Sequence, residues 1–565
     1  MFEAQPTSNP SISKYHRRSP IREFDEKQTL YSLVFSINKG NMELNCSSYL
    51  GDKTTFSELL QTTDALASVL HAFGVKTSEH VGACLMTVPE VAPTLLAISK
   101  LGAVSCWLDG SLKAADLLKY INRLELRILI IHELILPELL PVLDKTGLEK
   151  VIVVETDPRL GLPAVPGWKE IPGFCSFADV VESAPETELA AAKYEENKTT
   201  VIVQSSGSTG MPKLIEHTDY NFNAAIKRMA YCDIPLYAGR KSLITCVPWI
   251  IYGLLNSLYS SLVLGQEGVY TTMPLEEVMV THLGQYDFAY SVPAFIRALY
   301  NTMLGLKTAS PGKYAEMKNE IAKLDFIISG GDKVPEEELI TWQLMFDVPV
   351  LNGYGNNEIC GAAVFSPLFA NRPGSIGVPM HGNTVQAFDP DTGNELSCGE
   401  VGDLCITSDS LFKRYYDHMQ EAEKLWFIYG GSKWFKTGDL GYVDKDGFIY
   451  ISGRSRRLII DKLGFKISPD HSESVIQSCE GVSECAVVGA KRAEHDMVPV
   501  AYIEPNGSLG EEQVIELAKA ACAAELKDYE IPQKYICIEK IPHKVSGGKL
   551  DFLKLEEMAA ELEWN

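Results

Sequence analysis

The sequence predicts an α/β protein. It should have a large N-terminal domain of parallel α/β subdomains plus a β-rich subdomain, followed by a small α+β C-terminal domain. Three observations predict it. Short Val- and Ile-rich runs alternate with longer helical patterns through the first two thirds of the chain, the signature of parallel strands joined by crossover helices. From about Gly374 to Ile451, Gly, Asp and Pro punctuate short strands. Beyond Gly453, helical and strand patterns alternate again to the end.

The elements follow in order. Arg127-Ile-Leu-Ile-Ile-His132, Val151-Ile-Val-Val-Glu155, Thr200-Val-Ile-Val203 and Phe326-Ile-Ile-Ser329 read as buried strands. Ser242 to Gln266 carries no charge, which raises the possibility of a membrane span. Pro248 and Gly253 interrupt it and Asn256, Ser257, Ser260 and Ser261 dilute it, so a buried strand, a proline turn and a buried helix are expected. The texture change near Gly453 places one domain over 1–453 and a second over 454–565, with a hinge at 453–457. No internal repeat or low-complexity linker separates them.

Composition narrows the function classes. The 565 residues are 46% hydrophobic and 22% charged, which suits an ordinary folded protein of more than one domain. The net charge of −23 repels phosphate backbones and argues against a nucleic-acid partner, while leaving room for a local nucleotide pocket. Thirteen cysteines without a C-x-x-C pair suggest neither a disulfide framework nor a zinc site. The N-terminal basic patch Lys14-Tyr-His-Arg-Arg18 is not followed by an apolar run, so no secretory signal is read there and a cytoplasmic protein is expected.

The most informative stretch is Gln204-Ser-Ser-Gly-Ser-Thr-Gly-Met-Pro-Lys213. Small residues after a strand let backbone N–H groups turn toward a polyanion, and the hydroxyls of Ser205, Ser206, Ser208 and Thr209 add donors. A phosphate cradle follows from this, although not a Walker loop, because Gly-Lys-Ser/Thr is missing at the required spacing. A flexible Ser/Gly loop is the bland reading of the same residues.

Four further motifs stand downstream in a fixed order. They are Tyr354-Gly-Asn-Asn-Glu358, Thr437-Gly-Asp439, Gly453-Arg454 with Gly464-Phe-Lys-Ile-Ser-Pro469, and Gly548-Lys549. Together with Ser206 to Lys213 this set resembles the adenylate-forming superfamily of acyl-CoA synthetases, peptide-synthetase adenylation domains and luciferases. Thr55-Phe-Ser-Glu58 and Leu101-Gly-Ala-Val104 match pieces of earlier family motifs.

The resemblance implies ATP-dependent activation of a carboxylic acid as acyl-AMP, then transfer to a thiol. It assigns Ser205, Ser206, Gly207, Ser208, Thr209, Gly210 and Lys213 to the β- and γ-phosphates, and Thr209 with Glu358 to Mg²⁺. A hard oxygen donor suits that ion. It places Gly330, Gly331, Asp332, Asn352, Gly353, Tyr354, Gly355, Asn356 and Asn357 around the nucleotide, with Tyr354 stacking on adenine. Asp439 accepts both ribose hydroxyls, and Arg454 reaches ribose or phosphate. Lys549 brings an ammonium between two anions that repel each other, the acid's carboxylate and the triphosphate. The small domain then swings about Arg456, withdrawing Lys549 and admitting a thiol past Gly464, Phe465 and Lys466. The bland alternatives are a surface glutamate, a turn aspartate and solvated basic residues.

Several positions depart from the family pattern. The residue before Glu358 is Asn357 instead of Thr, an amide able to replace a hydroxyl as phosphate donor. Leu214 stands where glycine commonly follows the loop lysine, and Pro542 precedes Lys549 by one residue more than is usual. Val247-Pro-Trp-Ile-Ile-Tyr-Gly253 replaces a Pro-x-Phe-His-x-x-Gly run, so Ile250 takes the His position. Trp249, Ile250, Tyr252 and Gly253 then suggest an apolar acyl site, with core packing as the equal alternative.

Sixteen residues follow Lys549, so a freestanding enzyme without a fused carrier domain is expected. Its acceptor is coenzyme A, or alternatively the phosphopantetheine of a separate acyl carrier protein. A catalytically silent nucleotide- or acyl-binding protein is a second alternative, separated from the enzyme by acid-dependent ATP–pyrophosphate exchange.

Overall fold

The structure, a computed structural model, describes residues 15, 23–204, 213–229, 231–271, 285–331, 334, 336–417, 423–454, 457, 459–460, 466–467, 469–493, 496–526, 528–543 and 550–564. Two large sheets carry the N-terminal part. Among the described residues the first has eight strands, and its parallel centre runs Thr199–Gln204, Val104–Trp107, His80–Cys84, Ile128–His132, Lys150–Val154 and Phe174–Ser176. All five residues of Ile128–His132 are buried, as a central strand covered on both faces requires. The second sheet aligns Glu267–Tyr270, Lys241–Ile244, Phe288–Ser291, Phe326–Gly330 and Val350–Asn356 in parallel. One apolar cluster runs through both sheets, with Trp107, Val203, Phe222, Leu255 and Phe288 all buried in it.

Local chemistry fixes many boundaries. Helix Phe56–Ala72 begins in a capping box: Glu58 N–H donates to Thr55 Oγ1 at 3.2 Å and Thr55 N–H donates to Glu58 Oε2 at 2.8 Å. Those bonds hold the exposed Glu58 carboxyl below its usual range.

The uncharged stretch becomes strand Lys241–Ile244, a turn through Pro248, and a buried π-helix over Tyr252–Tyr259 that continues as Ser260–Val263. Its serines sit in the core because they bond back to their own helix: Ser257 Oγ donates to Gly253 O and Ser261 Oγ to Ser257 O, each at 2.6 Å. Among the described residues no helix is long and apolar enough to cross a membrane.

The β-rich subdomain pairs Thr384–Phe388, Gly402–Thr407, Ser432–Val443, Trp426–Tyr429 and Ile449–Arg454 in antiparallel register. Beyond it, Val482–Ala493, Asp496–Pro505 and Lys534–Cys537 form a three-stranded sheet. Helices Pro469–Gln477, Glu511–Glu525 and Phe552–Ala560 contribute buried residues to its two apolar clusters. The predicted change from α/β to β-rich to α+β is thus the observed order.

Candidate active site

The parallel strands deliver their carboxyl ends to one region, the place where open α/β sheets bind ligands. Thr199–Gln204 ends where the Ser/Thr/Gly turn begins. Gln204 pairs with Leu214 in antiparallel register, and Leu214–Thr218 leads into helix Asp219–Met229. The motif is therefore flanked by two strands, where a Walker loop would run directly into a helix. Ser205, Ser206, Gly207, Ser208, Thr209 and Gly210 lie outside the described residues, as do Asp332, Arg456, Gly464, Phe465 and Lys549.

The second sheet supplies the facing wall. Strands Phe326–Gly330 and Val350–Asn356 set Gly330 opposite Gly353. A β-carbon at Gly330 would lie 3.0 Å from the Tyr252 ring and 3.2 Å from Gly353 O, so only glycine lets these elements approach so closely. Gly355 is more constrained: its β-carbon would lie 1.7 Å from Gly361 O, across the bulge between Val350–Asn356 and Gly361–Phe365. Asn352 is buried, and its amide donates to Ser375 O at 3.0 Å. Asn356 Oδ1 accepts from Ile359 N at 2.8 Å and shapes the turn that carries Glu358.

Distant motifs meet here. The Tyr354 phenol donates to Asp439 Oδ2 at 2.6 Å, joining residues 85 positions apart. Asp439 is buried, on strand Ser432–Val443, and its backbone N–H donates to Thr437 Oγ1 at 3.1 Å. Thr437 Oγ1 in turn donates to Leu404 O at 2.7 Å, which explains the threonine of the Thr-Gly-Asp motif as a brace.

Glu358 is held by a residue the motifs did not single out. The Tyr415 phenol donates to Glu358 Oε1 at 2.8 Å, and Phe412 N–H donates to Glu358 O at 2.8 Å. Lys213 Nζ stands 4.7 Å from the centre of the Tyr415 ring, within cation–π range. Tyr415 arrives because Arg414–Tyr415 pairs with Leu214–Thr218, Tyr415 opposite Ile215. That register is supported by Arg414, whose Nε donates to the buried Glu216 at 2.8 Å. Only the strand pairing reveals Tyr415, since Arg414-Tyr-Tyr416 carries no local signature.

The donor set suits a magnesium ion. One Glu358 oxygen anchors to Tyr415, which orients the other, a hard ligand of the kind Mg²⁺ takes. Among the described residues no three His, Cys, Asp or Glu side chains gather for a metal. An ion completed by nucleotide phosphates and water needs no such group.

Asn357 differs from expectation. Its Nδ2 donates to Gln204 O at 2.6 Å and its Oδ1 accepts from Ile251 N at 3.2 Å. The amide thus spends its oxygen and one N–H inside the protein instead of serving only as a phosphate donor.

The Trp249–Gly253 turn packs against the core. Trp249 is buried, and a β-carbon on Gly110 would lie 3.0 Å from its ring, so it packs as core. The Tyr252 phenol donates to Ser291 O at 3.1 Å and Ile328 O at 3.0 Å, and burial pushes it far above the ordinary phenol range. A β-carbon at Gly253 would lie 1.9 Å from Val247 O, so only glycine fits there. Ile250 is half-buried against the same core.

Arg454 and Arg457 flank the predicted hinge residue Arg456. Arg454 pairs with Asp439 in strand register. Arg457 binds Asp470, donates to Glu473 Oε1 at 2.6 Å and Val487 O at 3.0 Å, and lies 3.8 Å from the Phe552 ring centre. Lys466 pairs with Ile460 in antiparallel register.

Comparison with known proteins identifies the family. Residues 38–416 match the family model of AMP-binding enzymes, and residues 471–548 match the AMP-binding enzyme C-terminal domain. YdaB of Bacillus subtilis (strain 168), named by inference as an acyl–CoA ligase, is 30% identical over 384 residues, 66% of this chain and 69% of its own. The long-chain-fatty-acid–CoA ligase of Escherichia coli O157:H7 is 23% identical over 526 residues, 89% of each chain. Among solved structures, the anthranilate CoA ligase AuaEII with anthranoyl-AMP superposes with a TM-score of 0.81, at 22% identity over 94% of this chain and 97% of its own. Family model, relatives and fold converge: the chain belongs to the AMP-binding enzymes, the adenylate-forming superfamily that includes the AMP-forming CoA ligases.

Proposed function

We propose that this enzyme joins a carboxylic acid with an apolar acyl group to coenzyme A in two steps, through acyl-AMP. The observation that carries the reading is the Tyr354–Asp439 bond. It unites the motifs that the family assigns to adenine and to ribose, which lie 85 positions apart in the chain.

In the first step a carboxylate oxygen attacks the α-phosphorus. The bond from that phosphorus to the bridging oxygen breaks, and pyrophosphate leaves. Residues 205–213 hold the departing phosphates, Thr209 and Glu358 hold the magnesium ion, and Asp439 and Arg454 hold the ribose. Bound Mg²⁺ offsets the charge on the phosphate oxygens. Lys549 sits between the two anions and steadies both.

In the second step the 454–565 domain turns about Arg456, and Lys549 leaves. A thiol enters past Gly464, Phe465 and Lys466 and gives up its proton to solvent; its sulfur bonds to the acyl carbon, the bond from that carbon to the phosphate oxygen breaks, and AMP departs. Relatives named as CoA ligases support CoA over a carrier protein as acceptor.

The test is a panel of aryl and fatty acids assayed for acid-dependent ATP–pyrophosphate exchange, then for AMP release with and without CoA. Exchange without CoA and AMP release with it is the expected pattern. No exchange with any acid, despite nucleotide binding, would favour a silent binding protein. Release that needs a pantetheinylated protein in place of CoA would select the carrier acceptor.

A further inference from the structure

The two oxygens of the Glu358 carboxylate are not equivalent. Oε1 accepts from the Tyr415 phenol at 2.8 Å. Among the described residues, Oε2 accepts no hydrogen bond. The phenol is held where it stands. Tyr415 is 2% exposed, and its ring centre lies 4.9 Å from that of Phe412. Phe412 N–H donates to Glu358 O at 2.8 Å, so the same short segment grips both ends of the glutamate. Tyr415 pairs with Ile215, and Arg414 beside it donates to the buried Glu216 at 2.8 Å, which pins the strand.

That asymmetry decides how the carboxylate can meet a cation. Ca²⁺ takes about six to eight oxygens in a loose shell and often draws on both oxygens of one carboxylate. Mg²⁺ demands a tight octahedron that it shares with phosphates and water. A seat on both Glu358 oxygens would put the cation and the phenol proton in competition for Oε1. Lys213 Nζ, 4.7 Å from the centre of the Tyr415 ring, draws on the ring's negative face and makes the phenol a stronger donor. The bond to a charged acceptor is of the stronger kind, so Oε1 stays with Tyr415. Glu358 is left as a ligand through one oxygen.

We propose that Tyr415 is a positioning residue that sets the metal selectivity of this site, favouring Mg²⁺ over Ca²⁺ by reserving Glu358 Oε1. The proposal rests on the adenylation reading, which brings the nucleotide and its cation to Glu358, and adds a selectivity to it.

The experiment displaces Mn²⁺, followed by electron paramagnetic resonance, from its complex with the full chain and α,β-methylene-ATP. That analogue cannot be cleaved where adenylation cuts, so the readout is binding and not turnover. Mg²⁺ and Ca²⁺ are the competitors, each corrected for its own affinity for the free nucleotide. In the wild type Mg²⁺ should act at a concentration about tenfold below that of Ca²⁺, since the outer partners of a ligand are worth about 10- to 100-fold in metal affinity. Tyr415→Phe keeps the ring against Phe412 and Lys213 and loses only the hydroxyl. It should narrow the ratio to about threefold or less, by weakening Mg²⁺ while sparing Ca²⁺.

Equal weakening for both ions would make Tyr415 a support only and overturn the selectivity. So would a wild type that takes Ca²⁺ as readily as Mg²⁺, an outcome that needs no variant to fold. A wild type that binds no nucleotide by calorimetry, with any of the three ions, would instead sink the adenylation reading.

Discussion

Arg457 offers the sharpest test of how the C-terminal part is held together. Its guanidinium binds Asp470, reaches Glu473 at 2.6 Å and 3.2 Å, donates to Val487 O at 3.0 Å and covers the Phe552 ring at 3.8 Å. The Glu473 side chain is 16% exposed and burial holds its carboxyl above the ordinary range, although Arg457 pulls it back. Arg457→Ala leaves that carboxylate buried with one remaining donor, Val487 N at 2.7 Å. Breaking a buried pair from one side costs about 3–5 kcal/mol.

The loss should depend on pH. Without the arginine the Glu473 carboxyl rises further, so the folded protein holds a proton that the unfolded chain releases near the usual glutamate range. The deficit is full above the folded pKa and shrinks as pH falls, by ~1.4 kcal/mol per unit for one group. Protection of the amides in strand Val482–Ala493, measured by hydrogen exchange at pH 8 and pH 5, reads this locally and avoids assuming two-state unfolding of the whole chain. Arg457→Ala with Glu473→Gln should recover ~1–3 kcal/mol and flatten the pH dependence. A loss that is equal at both pH values and not rescued by Glu473→Gln would refute the reasoning.

Three further outcomes are expected. Asp219 is buried and raised to about 6 by that burial, while its Oδ1 accepts from Leu30 N at 3.1 Å. Because the folded state keeps this proton longer than the unfolded chain, stability falls as pH rises toward 6; Asp219→Asn should gain on the order of 1–3 kcal/mol at pH 8 and nothing near pH 4, by urea midpoints. Tyr354→Phe frees Asp439 of its 2.6 Å donor and should raise the KM for ATP about threefold to tenfold, with melting temperature little changed, since one hydrogen bond is worth ~1 kcal/mol. Lys549→Ala should cut adenylation about 10²- to 10³-fold, as loss of a transition-state charge partner does. It should still convert supplied acyl-AMP and CoA to thioester in a single turnover, and equal loss of both half-reactions would contradict its assigned place.

Much of this enzyme was written in local sequence. Buried strands such as Ile128–His132 are continuous apolar runs, and the Thr55–Glu58 cap needs only four consecutive residues. The motifs at 204–213, 354–358 and 437–439 could be read in order because nucleotide chemistry demands particular residue types at short spacing.

What the chain could not announce is which distant residues those motifs would touch. Tyr415 reaches Glu358 only through strand register with Ile215, and Arg457 becomes an anchor only once Asp470, Glu473 and Phe552 surround it. Asn357 read alone is a phosphate donor; folded, it bridges Gln204 and Ile251, respectively 153 and 106 positions away. Short-range hydrogen bonding and hydrophobic period act within a few residues and are legible there. Cross-strand register and buried polar pairing are set by global packing, which no window of sequence contains.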